Sequence, residues 1–168
     1  MKVLVHLVIG VLGLWLQSSV APAIAIGHIR PNLMLAILLV LVLRWPSPWL
    51  FVFAALAGLA LDSFSSGLLG VYAISFFTIA VAARMAGGAI YENNLISNVV
   101  VVFALTLLHG AVALLIFKFL DGGVPWWWWM MTRVVPEALY TAVLSPIFFW
   151  AQERLERRLQ WGRESWEL

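Results

Sequence analysis

The run VVVVFALTLLHGAVALLIF, residues 99–117, decides the fold class of this chain. It contains 19 residues without a charge. As a helix it would extend roughly 28 Å, close to the thickness of the hydrocarbon core of a bilayer. A charged side chain at the bilayer centre costs about 2.5–3.5 kcal/mol, so charge-free runs of this length mark transmembrane helices. Residues 99–117 therefore predict a helix that crosses a membrane.

The composition extends this prediction to the whole chain. Of its 168 residues, 64% are hydrophobic and 11% are charged, whereas a soluble domain is roughly half apolar and a quarter charged. The net charge is +2 and the arginines are scattered, which excludes the basic face that a nucleic-acid-binding protein needs. The absence of cysteine excludes disulfides, thiolate metal sites and a cysteine nucleophile.

Charged residues divide the rest of the chain into further apolar spans. We predict an all-α integral membrane domain over residues 1–152, a bundle of about six transmembrane helices, followed by a charged, helical cytoplasmic tail over residues 153–168. The predicted spans lie near residues 3–20, 31–43, 50–61, 68–84, 99–117 and 132–150. The second has only 13 uncharged residues between Arg30 and Arg44, so we expect neighbouring helices to bury its ends.

Polar, proline-rich or glycine-rich segments separate these spans. They are residues 45–49, 62–67, 86–98 and 121–125. We interpret residues 86–98 as a loop with a short interfacial helix at most, and we expect Pro146 to kink the last span. The N-terminus has a signal-peptide alternative, with Lys2, an apolar run and a small-residue site at residues 21–23, but the further spans favour a retained first helix.

The distribution of basic residues predicts the orientation. With both termini cytoplasmic, seven basic residues lie inside: Lys2, Arg44, Arg84, Arg154, Arg157, Arg158 and Arg163. Three then lie outside: Arg30, Lys118 and Arg133. Because positive charge is retained on the cytoplasmic side, this excess favours cytoplasmic termini.

Two acidic residues near the membrane are candidates for a functional role. Asp62 is either an ion or substrate ligand or, as we favour, a residue at a helix end that satisfies backbone donors of the following turn. Glu137 follows Arg133 by one helical turn, which allows an ion pair within the helix, and a proton relay is the alternative. His109 is interpreted as a polar residue bonded inside the bundle.

Small residues predict the helix contacts. Ala54, Gly58 and Asp62 share one helix face at four-residue spacing, and small residues let two helices approach closely. Gly67 and Gly70 precede the next helix and are also interpreted as packing or partner-contact residues. The tryptophans of residues 126–129 occupy every side of a helix, so they indicate a membrane interface rather than a binding groove: Trp126, Trp127, Trp128 and Trp129.

No catalytic, metal or cofactor motif accompanies these features. The chain has no phosphate-binding Gly-rich loop, no His-Glu-x-x-His and no Gly-x-Ser-x-Gly elbow. The longest gap between predicted spans is too short for a nucleotide-binding domain. We therefore predict a non-enzymatic protein without cofactors, while an intramembrane enzyme would have to use Asp62 or Glu137.

Three short motifs carry a family resemblance. Arg30-Pro31-Asn32-Leu33, Gly58-Leu59-Ala60-Leu61-Asp62 and Gly67-Leu68-Leu69-Gly70, in this order and spacing, resemble the bacterial rod-shape-determining protein family MreD. The resemblance marks Pro31 and Asn32 as family-motif positions. It implies a fold similar to the substrate-binding subunits of vitamin importers of the ECF type.

The resemblance also implies a function. It suggests a scaffold or regulatory subunit of the cell-wall elongation complex, embedded among membrane lipids and bound to the bitopic protein MreC. Through MreC it would communicate with MreB filaments and with the membrane peptidoglycan polymerase and transpeptidase. The alternative is a membrane subunit of an importer that binds a small molecule or lipid. On the scaffold hypothesis, leucine at Gly58 is predicted to weaken partner binding while membrane insertion stays intact.

Overall fold

The computed structural model describes the backbone of residues 2–45, 47–65, 69–90, 95–121 and 125–159. Over these ranges the chain is helical and forms no β-strand, apart from one isolated bridge between Ile26 and Ile29. The helices are α1 (Lys2–Trp15), α2 (Ala21–Ala23), α3 (Leu33–Arg44), α4 (Trp49–Phe64), α5 (Val71–Ile90), α6 (Leu95–Asp121), α7 (Trp126–Trp129) and α8 (Val135–Leu159). The prediction of an all-α protein is confirmed.

Three helical stretches are long and apolar enough to cross a membrane. They are Val5–Ala23, Ile96–Phe119 and Trp126–Arg157. Three shorter apolar helices accompany them: Leu33–Arg44, Trp49–Phe64 and Val71–Met85. The structure thus supports a membrane protein with three spans by length and composition, and the predicted number of six spans is not confirmed.

Helix α3 lies at the centre of the bundle. It contacts α1, α4, α5, α6 and α8, and all but its last two residues are buried. The sequence is compatible with this placement, because a helix that is apolar on every side can be enclosed by other helices without leaving polar side chains unpaired. With 12 residues it is only roughly 18 Å long. It ends at Trp45, which is extended, as expected for a residue that precedes a proline.

Helices α4 and α5 form the most extensive helix pair. The buried residues of α4 include Ala54, Gly58 and Asp62, so the small-residue face predicted from their spacing is directed into the protein. A Cβ atom at Gly58 would lie 2.5 Å from the Cα of Ala73 and from the carbonyl oxygen of Tyr72. The two backbones therefore meet at a distance that only glycine permits.

Two π-helical turns keep helices continuous where prolines interrupt the hydrogen bonding. Leu16–Val20 connects α1 to α2 ahead of Pro22, and Met130–Val134 connects α7 to α8 ahead of Pro136. A proline cannot donate to the carbonyl four residues earlier and its ring clashes with that carbonyl. In both cases that carbonyl belongs to a residue of the π turn, and the larger number of residues per turn there relieves the clash with the proline ring.

The predicted kink site, Pro146, lies inside α8, which continues as a helix past it. Proline at this position removes the bond to the carbonyl oxygen of Ala142. The hydroxyl of Ser145 donates to that oxygen at 2.8 Å. A side chain thus satisfies the carbonyl that Pro146 leaves free.

The predicted loop over residues 86–98 is wrong in its extent. Helix α5 continues to Ile90 and α6 begins at Leu95, so within this range only residues 91–94 lie outside the described residues. Gly87 and Gly88 suggested a break, yet glycine costs a helix only about 1 kcal/mol per residue relative to alanine. Without a proline nearby, that cost does not end α5.

The contacts at the helix ends define two ends of the bundle. At the first end, His6 of α1 packs edge-on against Trp45 at a ring distance of 5.2 Å, and the Trp45 indole donates to Glu156 of α8 at 2.7 Å. At the second end, the hydroxyl of Tyr140 in α8 donates to the carbonyl of Ile24 at 2.8 Å. The start of α1 and the ends of α3 and α8 therefore lie together.

Candidate functional site

Asn32 is the centre of a buried polar cluster within the apolar bundle. Its side-chain oxygen accepts the backbone N–H of Leu35 at 3.0 Å and so caps the N-terminus of α3. Its own backbone N–H donates to the Thr141 hydroxyl of α8 at 2.9 Å. Its amide nitrogen lies 3.5 Å from Nε2 of His109 in α6, and its side chain also interacts with the Glu137 carboxylate. One residue thus connects three helices.

We call this set the polar core: Asn32, Tyr72, His109, Glu137 and Thr141. The His109 ring is buried, 5.8 Å from the Tyr72 ring and 5.3 Å from the Phe76 ring. These contacts confirm the prediction that His109 is bonded inside the bundle. Since the Asn32 amide donates to Nε2, the ring proton belongs on Nδ1, which is buried without a hydrogen-bond partner among the described atoms.

Asp62 lies beside the polar core and caps the next helix. Its carboxylate is buried and accepts three backbone N–H groups, from Gly70 at 2.9 Å, Tyr72 at 3.0 Å and Ala73 at 3.2 Å. These donors belong to the first turn of α5, where helices leave N–H groups unsatisfied. Asp62 therefore has the backbone-capping role that we favoured, although its donors lie beyond the predicted turn of residues 63–67.

Of the two glycines predicted as packing residues, Gly67 and Gly70, the structure describes only Gly70. Gly70 has a φ of +98°, and a Cβ at this position would meet nothing within 4 Å. Gly70 therefore serves the turn that delivers its N–H to Asp62, rather than the close helix contact that we predicted. Gly67 lies outside the described residues. Ala54 is fully buried in the core, and Pro31 is buried next to Asn32.

The tryptophan run forms the exposed helix α7. All four indoles are exposed, and the guanidinium of Arg133 lies 4.8 Å above the ring of Trp129. The helical continuation from α7 into α8 makes the predicted sixth span longer at its start than residue 132. The spacing allowed an ion pair between Arg133 and Glu137, which stays a prediction, and the stacking on Trp129 is a further contact of Arg133.

A second polar cluster, at the first end of the bundle, was not predicted. Glu156 accepts the Trp45 indole N–H at 2.7 Å and the Gln152 amide at 3.3 Å, and it lies 3.8 Å from the guanidinium of Arg44. The sequence signal was the pair Gln152 and Glu156 at four-residue spacing on a helix. Its partners on α3 are more than 100 residues away in the chain, so the spacing did not reveal them.

The arrangement is suited to holding helices together. The hydrogen bonds of Asn32 and Asp62 run to other helices or to helix ends, and a buried polar group contributes most when its partner is already in place. Among the described residues, no group of three or more His, Cys, Asp or Glu side chains could hold a metal ion. The Asp62 carboxylate is engaged by three backbone donors, which does not favour the alternative of a substrate ligand.

Replacing Asn32 by alanine is expected to destabilise the protein by about 2 kcal/mol. The change removes a helix cap worth about 1 kcal/mol and leaves the buried His109 ring and the half-buried Glu137 carboxylate without their partner. Thermal unfolding of the purified protein in detergent measures the effect. Asn98→Ala, at a partly exposed position in the first turn of α6, is the control. Equal melting temperatures for the two variants would contradict the central role of Asn32.

Comparison with protein-family models identifies a family that covers most of this chain. A family model described as rod shape-determining protein MreD matches residues 1–155 of the chain. The matched residues include the polar core, Asp62 and most of α8. No curated protein and no solved structure matches the chain.

Proposed function

Because this chain belongs to the rod shape-determining protein MreD family, we propose that it is a non-enzymatic scaffold of the complex that elongates the bacterial cell wall. The family match over residues 1–155 carries the proposal, since it covers all the helices up to the last residues of α8. Membership in the family gives the protein a role in determining rod shape. The finer proposal is that it binds MreC and thereby supports lateral peptidoglycan synthesis.

The polar core, the Asp62 cap and the close contact at Gly58 support a scaffold, because they fix the helices relative to one another. A rigid bundle can present a constant surface to a partner, and a partner docks at lower entropic cost on a surface that is already ordered. The polar core connects α3, α6 and α8 through Asn32, while Gly58 and Asp62 connect α4 and α5. The interior is therefore used for internal contacts, and a partner would bind outside it.

We place the MreC contact on the outer α4–α5 face. This face consists of exposed apolar side chains: Val52, Leu56, Leu59, Ile74 and Phe77. On α4 they follow one another at spacings of four and three residues, which gives a single stripe along the helix. A single transmembrane helix of the partner can pack along such a stripe through van der Waals contact.

We further propose that the protein lies in the bacterial inner membrane with both termini in the cytoplasm. The start of α1 and the ends of α3 and α8 share one end of the bundle, which supports placing Lys2, Arg44 and Arg154 on one side. In this orientation six helical passes alternate along the chain, with the short helix α3 enclosed by the others and the short helices α4 and α5 exposing one face. MreB filaments would connect through MreC from the cytoplasm, and the peptidoglycan polymerase and transpeptidase would act on the opposite side.

Complementation of a depleted rod-shaped host tests this function. We expect depletion to produce round cells, the unaltered chain to restore rods, and the double variant Leu56→Trp with Leu59→Trp to fail because bulky rings disturb the outer α4–α5 face. The same cells are used to measure co-purification of MreC. The control is Val143→Trp, at an exposed position on α8.

The outcomes separate the scaffold from the importer alternative. Restoration of rods by the double variant, with MreC retained, would place the partner elsewhere. Normal cell shape after depletion, together with loss of uptake of one nutrient, would replace the scaffold by the importer subunit. Membrane levels of each variant are measured in parallel, so that a failure to accumulate is recognised.

A further inference from the structure

An open apolar groove lies between α6 and the tryptophan-containing segment that follows it. Its volume is about 300 Å³. It is lined by Ala111, Leu114, Leu115, Lys118, Trp126 and Met130. All of these residues lie in described helices, and none belongs to the polar core, to the Asp62 cap or to the outer α4–α5 face. The groove is therefore a separate feature of the surface.

The α6 wall of the groove is amphipathic along its length. Its residues occur at positions 111, 114, 115 and 118, at the three- and four-residue spacing that keeps them on one helix face. The first three are apolar, and Lys118 stands alone at the end nearest the C-terminus of α6. Apolar surface thus leads directly to a single positive charge.

The opposite wall consists of Trp126 and Met130. Trp126 is exposed on α7, and tryptophan is favoured at the level of lipid headgroups. Arg133 stacks on Trp129, the residue before Met130, so this segment of the chain carries a second cation. Both walls of the groove are therefore apolar, and Lys118 on the α6 wall supplies the one cation of the lining, at the level expected for the membrane interface.

Among the residues that the structure describes, Lys118 has no anionic partner. Its side chain is exposed, and none of the acidic side chains that the structure describes forms an ion pair with it. A lysine next to apolar surface commonly extends its ammonium group towards lipid headgroups. Here the ammonium group is available to an anion that comes from outside.

We propose that this groove binds one anionic glycerophospholipid, with Lys118 at the phosphate and an acyl chain against Leu114, Leu115 and Trp126. The volume lies at the lower end of small-molecule pockets, roughly 300–1,000 Å³, so it takes an acyl chain segment rather than a helix about 10 Å across. A zwitterionic lipid would fit the apolar walls equally well. The positive charge of Lys118 therefore makes the selection for an anionic headgroup.

Native mass spectrometry of the full chain, released from detergent with defined lipids, tests the proposal. We expect the chain to retain phosphatidylglycerol about fivefold more than phosphatidylcholine with the same acyl chains, the ratio that one lysine near a membrane surface provides. Lys118→Gln should abolish this preference. Arg30→Gln, which removes another exposed cation of the same predicted side, should preserve it.

A second variant tests the apolar part of the groove. Ala111→Phe places bulk in the groove and should lower the retention of both lipids, while Leu108→Phe, one turn away at an exposed position of α6, should not. Equal retention of the two lipids by the unaltered chain, or equal losses in the Lys118 and Arg30 variants, would overturn the proposal. Displacement of the lipid by inorganic phosphate alone would also overturn the proposal. A dimer that Ala111→Phe dissociates would overturn it as well, because a second copy of the chain would then occupy the groove.

This inference rests on the geometry of the groove and not on the proposed scaffold function. The lipid preference is measured with the isolated chain, without MreC and without cells. A failure of the lipid test would leave the scaffold proposal in place, and a failure of complementation would leave the lipid site in place.

Discussion

Asp62→Ala is expected to lower the free energy of unfolding by at least about 3 kcal/mol. The substitution leaves the N–H groups of Gly70, Tyr72 and Ala73 without their common acceptor. A donor that is cut off from water and loses its partner costs about 1–3 kcal/mol; these three N–H groups are part-buried and Asp62 is only 2% exposed, so water cannot replace the carboxylate without rearrangement. We expect the first turn of α5 to lose order and the α4–α5 pair to separate.

Thermal unfolding in detergent, followed by size-exclusion chromatography, measures this effect. Ser63→Ala is the matched control, because Ser63 is exposed and its hydroxyl donates only to the carbonyl of Leu59 in its own helix. Asp62→Asn keeps one side-chain oxygen and should lie between the two. If Asp62→Ala melts within 1 °C of Ser63→Ala, the three hydrogen bonds do not contribute as the geometry indicates.

Gly58→Leu is expected to prevent correct packing of α4 against α5, at a cost of about 3 kcal/mol or more. The first added atom would already lie 2.5 Å from the Cα and N atoms of Ala73 and from the carbonyl oxygen of Tyr72. These are backbone atoms, so no side-chain rotation relieves the contact and the helices must move apart. The sequence-based hypothesis was that leucine at Gly58 weakens partner binding while membrane insertion stays intact; the backbone contact adds a defect in the α4–α5 packing itself.

Protease resistance of the membrane-inserted protein distinguishes the two readings of Gly58. A packing defect should make the α4–α5 segment accessible to protease even without a partner, with Leu59→Phe as a control that adds bulk at the adjacent exposed position. Unchanged protease resistance of Gly58→Leu, combined with loss of MreC, would restore the partner-contact hypothesis for this residue.

Much of the fold could be predicted from the sequence, because charge and apolar run length act locally. Residues 99–117 lie inside α6, and Asn32 begins α3 directly after the motif proline. The predicted ends of the helices were less accurate where local sequence signals oppose each other. Gly87 and Gly88 lower helix propensity but do not end α5.

The functional geometry was less predictable, because it depends on contacts between distant residues. Asn32 and Thr141 are separated by 109 positions, and Trp45 and Glu156 by 111. No periodicity in one helix reveals which polar residue of another helix will meet it. Asp62 was the exception, since a capping residue acts on nearby backbone, and even there the donors belong to the start of α5.

The capping of α5 by Asp62 has a consequence for biogenesis. At the bilayer centre an unpaired carboxylate would cost about 2.5–3.5 kcal/mol; Asp62 lies near the C-terminal end of α4, and its three donors lie at the start of the helix synthesised next. Insertion of α4 and α5 together would supply the acceptor and the donors in one step. Because the close approach at Gly58 joins the same two helices, we expect α4 and α5 to insert as one unit.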